Sequence, residues 1–219
     1  MTNKQMISKL KDNAELAQAA YGYYDLIGKR FDKQILKDIN RESTPIIAQT
    51  DILDITYNKY IAVKLNPHKQ TDEIKVGKLK GDFTPTQAKR FFERYDLLIH
   101  QPNTESGFSA TFFYNKESKE YTLAIRGTEP SDTGDLKTDA RMALGYIPQG
   151  QYNDMLRFYN QCKAKYPAMT ESKSLNIAGH SLGGALAQML TLSLCDDKNE
   201  ANINEVYTFN SHLESKKAV

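Results

Sequence analysis

Leu175-Asn176-Ile177-Ala178-Gly179-His180-Ser181-Leu182-Gly183-Gly184 is the stretch on which the fold turns. Leu175 to Ala178 is short and apolar, the mark of a buried strand. The stretch Ser181 to Cys195 carries no charge over its 15 residues, is below the 18 or more that a membrane span needs, and reads as a core helix. Between them stands Gly-x-Ser-x-Gly. Three such positions match by chance about 3 times in 10,000 per site, or roughly 7% over a chain of this length. The strand before it and the helix after it are the context that a nucleophile elbow requires. In that elbow Ser181 occupies a tight, strained turn that lifts its hydroxyl clear of the sheet, and Gly179 and Gly183 remove side chains that would collide. The plainer alternative is a strand-to-helix turn with a serine N-cap, but a cap does not call for glycine on both sides.

Working outward, Glu205 to Phe209 reads as a further strand, and Gln151 to Tyr166 as a helix closed by Pro167. That helix carries Tyr152, Met155, Leu156, Tyr159, Cys162 and Tyr166 on one face. Phe108 to Tyr114 and Tyr121 to Arg126 are aromatic and β-branched runs joined by the polar turn Asn115 to Lys119, the pattern of two antiparallel strands. Strand alternating with helix from Tyr121 onward predicts an α/β fold, a mostly parallel sheet flanked by helices. Toward the N-terminus, Met6, Leu10, Ala14, Ala17, Tyr21 and Tyr24 make one helical stripe over 3–24, and a short helix follows near Phe31 to Ile39. Thr84-Pro85-Thr86-Gln87 reads as N-cap, first-turn proline and capping-box glutamine of a helix running through Tyr95. Residues 41–82 have no helical period, only breakers and an extended stretch at Tyr60 to Leu65. The domain expectation is a mainly helical segment, 1–106, packed on an α/β core, 107–219.

Gly-His-Ser-Leu-Gly-Gly-Ala-Leu-Ala, preceded by Ile125-Arg126-Gly127-Thr128 with Thr128 lying 53 residues before Ser181, resembles the class-3 lipase family of the α/β-hydrolase fold. The resemblance covers about 107–211 and implies a serine ester hydrolase of lipase or phospholipase type. It implies Ser181 as nucleophile, with the amides of Thr128 and Leu182 as oxyanion-hole donors and Gly179, His180 and Gly183 shaping the elbow. Two preorganised amides are worth roughly 3 kcal/mol each at a developing oxyanion, and a helix starting at Leu182 adds its positive end there. In the segment resembling Asp135 to Arg141 the family usually has a tryptophan; this chain has none.

Hydrolases of this fold run in the order Ser, acid, His, and only 38 residues follow Ser181. The expectation is therefore an incomplete C-terminal end, with the catalytic acid and histidine missing from this chain. The substitutes are poor. Asp196 and Asp197 stand about 20 Å along the helix, His212 follows the last strand, His180 is a packing residue, and His68 and His100 sit near Pro67 and Pro102 in loops. The alternative function is a catalytically inactive hydrolase-like binding module. Leu186, Met189 and Leu190 would lack cover if later layers are absent, and an open edge at Glu205 to Phe209 predicts a homodimer.

Composition excludes other classes. A net charge of +2 with scattered charges argues against nucleic acid as a partner. Two cysteines, Cys162 and Cys195, without CxxC or Cys/His spacing give no metal or cofactor site, and both read as buried free thiols. Hydrophobic content of 40% with 26% charge and a mean hydropathy of −0.60 is globular with a polar surface. No transmembrane segment is expected. Charges from Lys4 to Glu15 leave no secretory signal, so the cytoplasm is the default compartment, with non-classical secretion as the other route.

Overall fold

A computed structural model of the chain describes residues 2–38, 43–127, 149–195 and 203–211. The order is α1 (Asn3–Ala19), β1 (Arg30–Phe31), α2 (Lys33–Asp38), α3 (Gln49–Leu53), β2 (Ile61–Asn66), β3 (Lys69–Lys78) and α4 (Pro85–Arg94). There follow β4 (Tyr95–Gln101), β5 (Ala110–Asn115), β6 (Tyr121–Ile125), α5 (Gln149–Lys165), β7 (Leu175–His180), α6 (Leu182–Leu194) and β8 (Ile203–Phe209). Two compact units result: Met1–Ala20 with Tyr95–Val219, and Tyr21–Arg94. The break expected at 106/107 thus differs from the unit boundaries, at 20/21 and 94/95.

The 21–94 unit is not mainly helical, as the sequence reading expected. It holds an antiparallel sheet in the order β1-β2-β3, with Phe31, Ile47, Leu53, Val63 and Leu79 buried. The extended stretch expected at 60–65 is β2; its partner β3, with only Ile74 and Val76 as β-branched apolar residues among lysines and acids, went unread. Thr84 Oγ1 accepts from the Gln87 amide at the start of α4, as the sequence signature requires.

The other unit is a five-stranded sheet, β4-β5-β6-β7-β8. β4, β5 and β6 are antiparallel neighbours, and β6, β7 and β8 run parallel. The Asn115 side chain closes the β5–β6 turn by accepting from the Glu117 and Ser118 amides. The register aligns Phe112, Leu123, Ile177 and Val206 across four strands. This row packs with Met155, Phe158 and Cys162 of α5 and Leu186 and Leu190 of α6 in one core. Leu186 and Leu190 are therefore buried and Met189 partly so, which corrects the expectation that later layers must cover them. Leu192, 72% exposed, is the apolar residue of α6 left to solvent.

The next register row, Thr111, Ala124, Ala178 and Tyr207, faces the other way. Its small central members admit a close helix, and α1 lies against β6, β7 and β8. The buried face of α1 is accordingly Asn13, Leu16, Ala17 and Ala19, while Met6 and Leu10 of the expected stripe are 46% and 51% exposed. Lys9 pairs with Glu205 of β8 at 2.7 Å. Among the described residues β8 has a strand neighbour on its β7 side alone. Both cysteines are free; Cys162 is buried, but Cys195, at the end of α6, is exposed, contrary to expectation. Among the described residues no helix is long and apolar enough to cross a membrane.

Candidate functional site

The site lies at the carboxyl ends of β6 and β7. Between β7 and α6 the backbone of Ser181 takes φ 55°, ψ −126°, a conformation that costs a non-glycine residue about 1–3 kcal/mol. Close packing over-determines it. A Cβ on Gly179 would stand 2.3 Å from the Gly183 carbonyl oxygen, and one on Gly183 would stand 2.2 Å from that of Ile125. A Cβ on Gly184 would reach 2.6 Å from that of Ser211. The Ser181 amide donates to Phe209 O at 2.8 Å, and the Ser181 carbonyl accepts from Gly184 and Ala185. The three glycines and β8 thus hold the turn.

Ser181 is the N-cap residue of α6 by position, yet its side chain makes no capping hydrogen bond. Leu182, next in the chain, is 5% exposed. His180 is half-buried, and burial lowers its pKa below the usual imidazole value. Thr128, the other expected oxyanion donor, lies outside the described residues, as do 135–141, Asp196, Asp197 and His212. Its neighbour Gly127 packs on the elbow: the Gly127 amide nitrogen is 2.9 Å from the Cβ position of Gly183. His68 belongs to the 21–94 unit. His100 is in β4 rather than a loop, with Nδ1 at 2.9 Å from Thr111 Oγ1. Burial, and then the Arg126 charge, lower its pKa to about 4.

Beside the elbow is a cavity of about 210 Å³. Phe108 and Leu186 form its apolar side, Arg126, Asn103 and Gln151 its polar side, and Gly127 and Leu182 join it to the turn. Arg126 is 6% exposed and donates through a guanidinium nitrogen to Asn103 Oδ1. The loop bearing Asn103 is pinned to α5, where Ser106 Oγ donates to Asp154 at 2.7 Å and the Gln151 amide donates to Ser106 O at 2.9 Å. The bonds from Ser106 and Thr104 hold the Asp154 carboxyl below its ordinary pKa, against a small opposing effect of burial. The sequence reading takes Arg126 and Gly184 only as motif members and misses Asn103. The Arg-Gly-Thr signal could have pointed to Arg126; a lone Asn after Pro102 offered none.

A Tle-like phospholipase domain model, described as phospholipase-like, matches residues 82–211. The chain belongs to that family. Among relatives, the Tle-like chain is 39% identical over 88 residues to an extracellular phospholipase A1 of Serratia liquefaciens, covering 40% of this chain and 24% of that protein. It is 29% identical over 107 residues to the uncharacterized protein RP165 of Rickettsia prowazekii (strain Madrid E), covering 48% and 28%. The chain thus spans about a quarter of the length of the curated relatives it matches. Solved structures similar to it include a triacylglycerol lipase from Penicillium expansum, with 18% identity, TM-score 0.36 and coverage of 52% and 49%. Another is the Lip2 lipase of Yarrowia lipolytica, with 18% identity, TM-score 0.34 and coverage of 76% and 55%.

Proposed function

We propose that this Tle-like phospholipase domain is built to cleave a lipid acyl ester through Ser181. The observation that carries the reading is the serine itself. A non-glycine residue is held at φ 55° between three closely packed glycines, with a hydroxyl that does not cap the helix it precedes. A capping role accounts for neither feature. Strain of this kind persists where the structure needs a side chain presented in one direction. Attack of Ser181 Oγ on the acyl carbonyl would place the oxyanion by the Leu182 amide at the start of α6, with Thr128 as second donor and the helix dipole adding to both. His100, hydrogen-bonded to Thr111 within the sheet, is not the base.

The test uses a fluorophosphonate probe and a short-chain phospholipid ester. In a form that carries base and acid, Ser181→Ala should abolish labelling and hydrolysis while leaving the circular dichroism spectrum unchanged. Hydrolysis that survives in Ser181→Ala would remove the assignment.

A further inference from the structure

We propose that the N-terminal half of α1 is a docking surface for an anionic lipid membrane, with Met6, Ile7 and Leu10 entering the headgroup region and Lys4 and Lys11 meeting lipid phosphates. The proposal rests on α1 and stands apart from the role of Ser181. It begins with where the apolar surface lies. Among the described residues eight large apolar side chains are exposed, and three of them, Met6 at 46%, Ile7 at 68% and Leu10 at 51%, fall within five consecutive positions. Exposed apolar residues scattered singly are ordinary, whereas a cluster marks a contact surface.

The fold explains why the cluster is bare. The buried residues of α1, Asn13, Leu16, Ala17 and Ala19, all belong to its C-terminal half. Lys9 already reaches Glu205 on β8, the last strand in the order of the sheet. The six residues from Asn3 to Ser8 continue the helix ~9 Å beyond that pair, and every residue from Thr2 to Ser8 is exposed. This end is nevertheless a built helix. Thr2 and Gln5 close a capping box, with the Thr2 amide donating to Gln5 Oε1 at 2.8 Å and the Gln5 amide to Thr2 Oγ1 at 3.3 Å. The apolar side chains are therefore held in fixed relation to one another before any partner arrives.

Charge selects the partner. The whole chain carries +2, but residues 2–11 hold three lysines and no acid. Lys9 is paired with Glu205, whereas among the described residues Lys4 and Lys11 make no ion pair. At about 100° per residue, Met6, Leu10 and Ile7 span an arc of roughly 100°, within which only Asn3, the first residue of the helix, is polar. Lys11 and Lys4 border the arc on one side and Lys9 on the other. An apolar arc edged by lysines is the pattern of a helix that lies in a lipid interface, where the lysine stems let the ammonium groups rise to the phosphates. Lys4 also stands in the first turn of α1, which has no acidic residue. A cation at the positive end of a helix dipole destabilises that helix unless an anion faces it. A second copy of the same patch would bring lysine against lysine, so these charges favour an anionic surface over self-association.

The experiment is vesicle sedimentation of the full chain carrying Ser181→Ala, so that no ester is consumed. Vesicles of phosphatidylcholine alone are compared with vesicles in which about one-third of the lipid is phosphatidylglycerol. The chain should bind the anionic vesicles ~tenfold more tightly or better, since each lysine near such a surface contributes about fivefold, and ~0.5 M salt should remove most of that preference. Ile7→Ser with Leu10→Ser should weaken binding ~tenfold or more while Tm stays within about 2 °C, because both side chains face solvent. Lys4→Gln with Lys11→Gln should bring the two vesicle types within about threefold of each other. Leu192→Ser, which removes the exposed apolar side chain of α6, should leave binding unchanged.

Absence of binding to the anionic vesicles, binding that survives both double variants, or an equal loss in Leu192→Ser would overturn the proposal. So would a lipid-free dimer in light scattering that Ile7→Ser with Leu10→Ser dissociates, because the patch would then belong to a second copy. If that double variant does not fold, the lysine pair decides by the same measurement. Binding that follows these expectations where Ser181-dependent hydrolysis is absent would support the surface and fault the catalytic reading alone.

Discussion

Gly183→Ala is the sharpest probe of how the elbow is held. The new methyl carbon would stand 2.2 Å from Ile125 O, 2.8 Å from Arg126 C and 2.9 Å from Gly127 N. Every one of these is a backbone atom, so no rotamer change relieves the contact. Reaching even the shortest contact that real methyl carbons make, 3.0 Å, requires about 0.8 Å of movement between α6 and the end of β6. β6 cannot give way cheaply, because it is hydrogen-bonded to β5 on one side and β7 on the other. Overpacking of this type costs about 1–3 kcal/mol, and a clash with backbone alone belongs at the upper end. For a chain of this size about 3 kcal/mol lowers Tm by roughly 6–12 °C. Gly107→Ala is the control in the same unit. There φ is +84°, and the nearest atom, 3.2 Å away, is the end of the flexible Gln151 side chain, so the cost is about 1–2 kcal/mol of left-handed strain alone. Thermal unfolding followed by tyrosine near-ultraviolet circular dichroism measures both. A Gly183→Ala midpoint within 2 °C of the parent, or no lower than that of Gly107→Ala, would refute the close-approach argument.

Two further expectations follow from titrating groups. His100, whose pKa drops from 6.5 to about 4 on folding because burial and Arg126 disfavour its charged form, takes up its proton more readily in the unfolded chain. Its contribution to stability is therefore complete above pH 6.5 and lost as pH falls toward 4. His100→Gln, which keeps a side-chain partner for Thr111, should flatten the decline of the urea midpoint between those pH values; an unchanged slope would contradict the assignment. Burial pushes the Cys162 thiol up to about 12, whereas Cys195 is exposed. Ellman's reagent at pH 8 should thus react with one thiol in the native protein and with the second only on unfolding; two fast thiols would show that α5 does not seal Cys162.

The α/β core was readable because its strands and helices carry unambiguous patterns. Leu123 and Ile177 alternate with the smaller or polar Thr122, Ala124, Asn176 and Ala178, β5 is a run of aromatic residues, and α5 repeats its apolar positions at helical spacing. β4 was hidden because it starts at Tyr95 directly after α4 ends at Arg94, so Tyr95 extends the helical spacing from Phe91 with no breaker between them. β3 was hidden because an antiparallel strand in a small sheet needs few apolar side chains, and this one has lysine or acid at half of its positions. The face of α1 was misjudged for a different reason. Hydrophobicity favoured Met6 and Leu10, but the row Thr111, Ala124 and Ala178 selects small residues that allow close approach. At the site, the glycines announced the turn because only they fit it, whereas the relation between Arg126 and Asn103 depends on a loop fold that no local pattern encodes.

The arrangement of α1 also sets a timetable for synthesis. Lys9 and Glu205 meet across 196 residues of chain, and at ~5–20 residues per second a ribosome needs roughly 10–40 s to make the second after the first. Throughout that interval α1 has emerged without β6, β7 and β8 to cover Leu16 and Ala17. The Tyr21–Arg94 unit, whose sheet pairs β1, β2 and β3 within its own span, can complete that sheet first. Early exposure of α1 makes it the natural place for a chaperone to hold the nascent chain, and its docking the last step by which the sheet is closed on that face.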